Sequence, residues 1–457
     1  MSSSSIGGAI IDGSQASGSS GGLGAGIDVS TLVNAALANQ DAELGVLQNQ
    51  QSALSTQQTA LASFTTDLQA LQTASFALTD PGGQLTSATA TSSNPGALTA
   101  SALGETVSGT HSIVINNLAT TSSEYSSAVA TSSTAIGTGT LTIQVGSNAP
   151  STIAVDSSNN TLDGLAQAIN NANLSVSATV INDATGSRLA ITSNTSGAPG
   201  DLTITASTGL PQFTKAVTGT NASLTVDGIP ISSTSNTISG AINGVTLNLG
   251  SATAGAPVTL SIGPDVSSQE AAVNSFVSAY NTVIGDLNTQ FAVPSGSSQA
   301  GPLASDSTLS LAQNQILGAT TFTTANGAGI NSLSDLGISL NDDGTLSVNS
   351  SQLAGALQSN PTAVQSFFDS TQTGSFGANL AGVLNSLVDP ITGSVIQDGN
   401  GLTQTQTGLT QQISDFQNQI NSSQQQLTTQ YDQVDATLQE LPLLLAQINS
   451  QLGSLNS

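Results

Sequence analysis

The sequence predicts an α+β multidomain fold. Its N- and C-terminal helices pair as a coiled-coil leg, with a mixed helical/β domain and two mainly antiparallel β head domains inserted between them. Three observations predict it. Leucines stand at strict sevens near the N-terminus (Leu47, Leu54, Leu61, Leu68). A second heptad series runs unbroken to the C-terminus. Between them lie many short segments of alternating Thr and Val separated by Gly, Asn and Ser.

Residues 1–26 are mostly Ser and Gly with little to bury, which reads as a flexible tail. At "GGLGAGIDVSTLVNAAL" the pattern turns periodic, and Asp28 or Ser30 can cap a helix. Apolar residues recur at Val33, Leu37, Leu44, Leu47, Leu54, Leu61, Phe64, Leu68, Leu71 and Leu78, and "TDPGG" at 79–83 ends the run. Steps of three, four and seven put these side chains on one stripe of a rod about 75 Å long. Such a rod needs a partner, because helical propensity alone does not hold it in water.

The middle of the chain reads as strands and hairpins: "HSIVINNLA", "GTLTIQVG", "LSVSATVIN", "SRLAITSN", "DLTITAS", "ASLTVDGIPI" and "GVTLNLG". "TLDGLAQAINNA" at 161–172 is one helix among them. A longer helix follows at 267–291, striped by Val273, Phe276, Val277, Tyr280, Ile284 and Leu287. Shorter ones near 306–318 and 361–368 flank a hairpin around "LNDDGTLSV".

At the C-terminus Ile413, Ile420, Leu427, Val434, Leu441, Ile448 and Leu455 hold successive heptad positions, joined by Phe416, Tyr431, Leu438, Leu445 and Leu452. The flanking residues are Gln, Asn, Ser and Thr, so salt bridges cannot choose partner or orientation. Pro442 lacks an N–H and would clash with the Leu438 carbonyl, which predicts a kink or break there. The expected division is therefore a tail (1–26), a terminal coiled-coil domain (27–45 and 402–457) and a helix-rich domain with β hairpins (46–110 and 255–401). A β head domain (111–135 and 215–254) and an outer β head domain (136–214) complete it.

Charge narrows the function. Only 6 % of the 457 residues are charged, the basic ones being Arg188 and Lys215 against 27 acids, for a formal net charge of -25. Two isolated cations cannot neutralise a phosphate backbone or an anionic membrane surface, and no apolar run approaches the roughly 20 residues that span a bilayer. Nucleic acid and membrane insertion are thus excluded as expectations. Absent cysteine removes disulfides and thiol chemistry, and the N-terminus has neither the basic nor the apolar region of a cleaved signal peptide.

Candidate chemistry gives way to plainer readings. Gly22, Gly24 and Gly26 do not make a dinucleotide loop, whose third glycine would fall at Ile27, nor a P-loop, whose lysine is missing. His111, the one histidine, sits at the start of a β segment and reads as structural. "NDDGT" lacks the spacing of a calcium loop and fits a hairpin turn. Carboxylate pairs can run glycoside hydrolysis, yet with no Trp and 3 % aromatics little could stack a sugar. Arg188 and Lys215 each suit a local ion pair. The expectation is no enzyme, no catalytic residue, no cofactor and no metal.

Several strings, in order, resemble the bacterial flagellar filament-capping family, hook-associated protein 2. "GLGAGIDVSTLVNAALANQDAELGVLQNQQSALSTQQTALASFTTDLQALQTA" and "TSSNPGALTASA" are similar to its N-terminal region. "LTVDGIPISSTSNTISGAINGVTLNL", "FVSAYNTVIGDLN", "GPLASDSTL", "DLGISLNDDGTLSV" and "NPTAVQSFF" are similar to its later segments. Residues 159–193 resemble a repeat shared by flagellin and hook-associated proteins. The terminal helices depart from the family in carrying Gln, Ser and Thr where members usually have Lys, Arg and Glu.

The resemblance implies a structural, homo-oligomeric cap at the distal tip of the flagellum, most often a pentamer. Its head domains would form a plate with legs, and it would promote folding and insertion of exported flagellin. Flagellin and the hook–filament junction protein are the implied partners, and type III export without a cleaved signal is the implied route. The seams expected to make coiled-coil and subunit contacts are Leu47, Leu54, Leu61, Phe64, Leu68 and Leu71, and Ile413, Phe416, Ile420, Leu427, Tyr431, Val434, Leu438, Leu441, Leu445, Ile448 and Leu452. A secreted adhesin or surface-layer stalk is the competing reading.

Overall fold

A computed structural model describes residues 28–253, 255–292, 300–324 and 329–455; the expected tail at 1–26 lies outside the described residues. Helix α1 (Val29–Thr79) starts where Asp28 accepts from the Thr31 N–H at 3.1 Å and from the hydroxyls of Thr31 and Ser30. Those donors hold the Asp28 carboxyl down to about 2, led by the Thr31 hydroxyl. Asp28 rather than Ser30 is thus the cap. The helix stops at Asp80, ahead of Pro81.

The chain then enters its β region with β1 (Ala88–Ser92), β2 (Leu98–Ala102), β3 (Gly109–Asn117) and β4 (Thr121–Ser126). Next come β5 (Gly139–Val145), β6 (Ser151–Val155), α2 (Leu162–Asn171), β7 (Val176–Asp183), β8 (Gly186–Ser196) and β9 (Leu202–Ala206). It returns through β10 (Phe213–Val217), β11 (Ala222–Val226), β12 (Ile229–Ser233), β13 (Thr237–Ile242), β14 (Val245–Leu249) and β15 (Val258–Pro264). Every pairing among them is antiparallel.

Two cores result. A five-stranded sheet (β1-β15-β3-β11-β12) and a three-stranded one (β13-β14-β2) enclose Ile113, Ile115, Leu224, Leu247 and Leu260. Farther along, sheets β10-β4-β8-β7 and β6-β5-β9 share with α2 a core of Leu141, Leu165, Ile169, Leu189, Ile191 and Leu202.

These sheets shift the expected boundaries. Strands β1, β2 and β15, assigned from sequence to the helix-rich segments, pair into the first head, while β4 and the end of β10 (215–217), assigned to the first head, belong to the outer sheet. The reason is visible in β4, whose inward residues are Ser122, Glu124 and Ser126. The two serine hydroxyls are satisfied internally, Ser122 accepting from the Leu202 N–H at 3.0 Å and Ser126 from the Leu189 N–H at 2.9 Å. A strand that buries serines shows no hydropathy alternation.

The helical domain is completed by α3 (Val266–Phe291), α4 (Ser307–Thr320), the hairpin of β16 (Ile338–Leu340) and β17 (Leu346–Val348), α5 (Ser350–Ser359), α6 (Pro361–Phe368), α7 (Phe376–Val388) and α8 (Ser394–Leu455). Its core is built on Leu61, Phe64, Leu68 and Leu71 of α1 and on Phe276 and Tyr280 of α3. Phe376 stacks on Phe367 with centroids 5.0 Å apart and meets Phe368 and Phe276 edge-on. The Asn281 side-chain amide holds β17, its nitrogen donating to the Leu346 carbonyl and its oxygen accepting from the Leu346 N–H, and the Tyr280 hydroxyl donates to the Gly344 carbonyl at 3.0 Å. Gly344 sits in the hairpin turn at φ +83, where a side chain would strain the backbone.

Of the kink or break expected at Pro442, the break is corrected. Helix α8 runs as one element from Ser394 to Leu455 with Pro442 inside it, so no break occurs there. The Leu438 carbonyl, to which proline can donate no N–H, falls on a helix stretch with no other described segment beside it.

Candidate assembly surface

Helices α1 and α8 run antiparallel. The Gln51 side chain donates to the Thr410 hydroxyl at 2.9 Å, and Leu61 packs beside Gly399. Farther from the helical domain a small cluster closes the pair, with Val33, Leu37 and Ile420 buried and Val29, Leu44, Phe416, Leu427 and Tyr431 packed against it. Ile413 is buried too. Because α1 begins at Val29, opposite this cluster, α8 continues from Tyr431 to Leu455 with no described segment beside it. That overhang is about 36 Å long at 1.5 Å per residue.

The expected seam residues therefore meet three fates. Leu61, Phe64, Leu68 and Leu71 lie in the core of the chain's own helical domain, and so hold the molecule together rather than facing another subunit. Leu47 and Leu54 are half-buried along α1, while Ile413, Phe416, Ile420, Leu427 and Tyr431 face α1 from α8. Val434, Leu441, Leu445, Ile448 and Leu452 are 45–58 % exposed, and Leu438 is half-buried. One sequence period thus passes from core, to helix pair, to bare surface.

Two apolar residues of the overhang fall outside the stripe, Leu443 and Leu444, at 72 % and 56 % exposure. Leu443 points away from the seam, about 180° round the helix from the Leu441–Leu445 line. The run "LPLLLAQI" carried the signal, since consecutive leucines cannot all share one face. Such a concentration of exposed apolar side chains makes the overhang the candidate interaction surface.

Electrostatics set this surface apart from the heads. No Lys, Arg or His occurs on α1 or α8, and the basic residues of the chain lie on head strands. Arg188 pairs with Asp183 at 2.9 Å and lies over the Tyr125 ring, and His111 contacts Asp227 at 2.7 Å. In the helical domain carboxyl meets carboxyl instead. Burial and the neighbouring Asp67 push Asp286 up to about 6, and burial and the neighbouring Asp306 push Asp398 up to about 6.

These raised groups fix the sign of a pH effect. Between about pH 4, where free carboxyls titrate, and about pH 6, where these two do, the folded state holds protons that the unfolded chain has released. Stability of the helical domain therefore falls as pH rises through that window. The lowered carboxyl of Asp28, at about 2, titrates below it. Thermal midpoints are expected to be higher near pH 5 than near neutrality, and Asp286→Asn combined with Asp398→Asn should remove most of the difference.

Comparison with known proteins gives one consistent answer. A profile of the Flagellar hook-associated protein 2 C-terminus matches residues 219–442, and one of its N-terminus matches residues 25–122. The chain is 34 % identical over 353 residues to the B-type flagellar hook-associated protein 2 of Pseudomonas aeruginosa, covering 70 % of this chain and 71 % of that one. It is 32 % identical over 425 residues to the Flagellar hook-associated protein 2 of Escherichia coli strain K12, covering 84 % and 89 %. Among solved structures it resembles the D1-D2-D3 domains of the flagellar cap protein FliD from Escherichia coli, with a TM-score of 0.59 at 28 % identity over 75 % of this chain and 99 % of that one.

Proposed function

The chain belongs to the flagellar hook-associated protein 2 family, and from that premise we propose how this member caps the filament. It is a flagellar cap protein with a structural role in filament elongation, acting at the filament tip outside the cell. Several copies, five in our reading, form a plate from their β heads, and the α1–α8 pairs hang as legs into the filament end. Exported flagellin folds and inserts beneath the plate, and the hook–filament junction protein receives the first cap. The competing reading, an adhesin stalk, finds no support among the matched relatives.

The observation that carries the proposal is the overhang of α8. It presents Leu441, Leu445, Ile448 and Leu452 to solvent, and burying them against a neighbour is worth roughly 25 cal/mol per Å². Because neither leg helix bears a basic side chain, no ion pair built on a leg lysine or arginine must break when a leg leaves one groove and enters the next. Attraction is strong, while its directional preference is weak.

This predicts how assembly responds to salt. Raising ionic strength screens repulsion between highly acidic copies and removes no leg ion pair, so cap association measured by sedimentation should hold or strengthen. A steep loss of association at high salt would contradict the proposal.

A further inference from the structure

The chain has a single lysine, and the fold sets it among carboxyls. Lys215 lies on β10, an edge strand of the outer head, directly across from Glu124 of β4. Its Nζ is 2.9 Å from Asp201 Oδ2, at the entry to β9, and 3.9 Å from Glu124 Oε1. The Glu124 side chain is only 6 % exposed. On the far side of the Asp201 carboxyl, Oδ1 accepts from the Gly219 N–H at 2.9 Å. Glycine is required there, because a Cβ at 219 would stand 2.7 Å from the Gly197 carbonyl oxygen and 3.0 Å from Asp201 Cα.

A half-exposed ion pair stabilises a fold little, and it gives no reason to bury a second carboxyl beside the same amine. The parts present are instead those of an acyl transfer: an amine, a carboxyl with a backbone N–H on one oxygen, and a buried acid 3.9 Å from the amine. We propose that this is a self-processing site at which the Lys215 amine condenses with the Asp201 side chain, leaving an isopeptide bond between β10 and the entry to β9.

The step balances without any co-reactant. Glu124 takes a proton from the Lys215 ammonium, and the freed lone pair forms the Nζ–Cγ bond while Asp201 Oδ1 carries the developing charge toward the Gly219 N–H. Two of the three ammonium protons end on Oδ2, moved there by Glu124, and Oδ2 leaves as water. Ammonium and carboxylate become amide and water, and Glu124 finishes as it began. Burial raises the Glu124 carboxyl against the opposing pull of Lys215, which brings it closer to the range where a proton carrier works in both directions. The bond would fasten a strand whose outer edge has no partner in the sheet.

Mass spectrometry of the purified, denatured full chain tests this directly. The expected mass is lower than that of the sequence by one water, with fragmentation placing the loss between Asp201 and Lys215. Trypsin should cut the denatured chain at Arg188 and leave Lys215 intact, since its nitrogen is then an amide. Glu124→Gln should restore the full mass and the second cut. Because mass and cleavage are read on the unaltered chain, a variant that fails to fold does not obscure the answer. Full mass with cleavage at Lys215, or a water loss located elsewhere, would overturn the proposal.

Discussion

Truncation after Gln433 is expected to abolish filament elongation while leaving the rest of the chain folded. The residues removed include Val434, Leu441, Leu445, Ile448 and Leu452, all exposed, so the monomer loses almost no packed surface. Its stability should change by no more than about 0.5 kcal/mol, the usual range for surface changes away from a core. Swimming and filament length in a cap-deficient strain supply the functional reading, and a thermal melt of the purified protein supplies the structural one. Loss of both together would mean that the overhang is part of the fold.

The second large effect is the converse, a change that destroys the fold of one region without touching the overhang. Phe376 is fully buried, stacked on Phe367 and edge-on to Phe368 and Phe276. Phe376→Ala should destabilise the helical domain by about 3–5 kcal/mol, the range for emptying a buried aromatic site. The two β heads have cores of their own, so their strand signal in circular dichroism should persist where the helical signal melts early. A single unchanged transition would contradict this separation of cores.

Legibility of the fold followed how far each element depends on apolar periodicity. The long α1 stripe was plain because leucines recur over 51 residues, and α3 was plain through Val273, Phe276 and Tyr280. Strand β4 was hidden because it buries serines and a glutamate. Helices α5 and α7 were missed although Leu353 and Leu357, and Phe376, Leu380, Leu384 and Leu387, recur at helical spacing, because the Ser, Gly and Asn between them are weak helix formers in runs of only 10 and 13 residues. Helix α8 begins at Ser394, well before its first heptad residue, Ile413, through a polar stretch that its contacts with α1, α4 and α7 explain.

The proposed assembly surface was legible as a stripe but not as a surface. Leu61 and Leu441 each stand in a strict heptad series, and the heptad spacing itself does not distinguish them. What separates them is where the partner helix begins: Val29 ends the cover that α1 provides, and every apolar residue past Tyr431 lies beyond it. Leu443 and Leu444 were outside the heptad pattern altogether, though they are among the most exposed apolar residues of the overhang.

The absence of cysteine makes the central claim directly measurable, because Leu445→Cys introduces the only thiol in the chain. In the free subunit this position is 46 % exposed and should react readily with a maleimide. In caps seated on intact filaments the account predicts strong protection of that thiol, released when the cap is dissociated. Equal labelling of the free and the seated protein would contradict the claim that the α8 overhang is the surface by which this cap holds its neighbours.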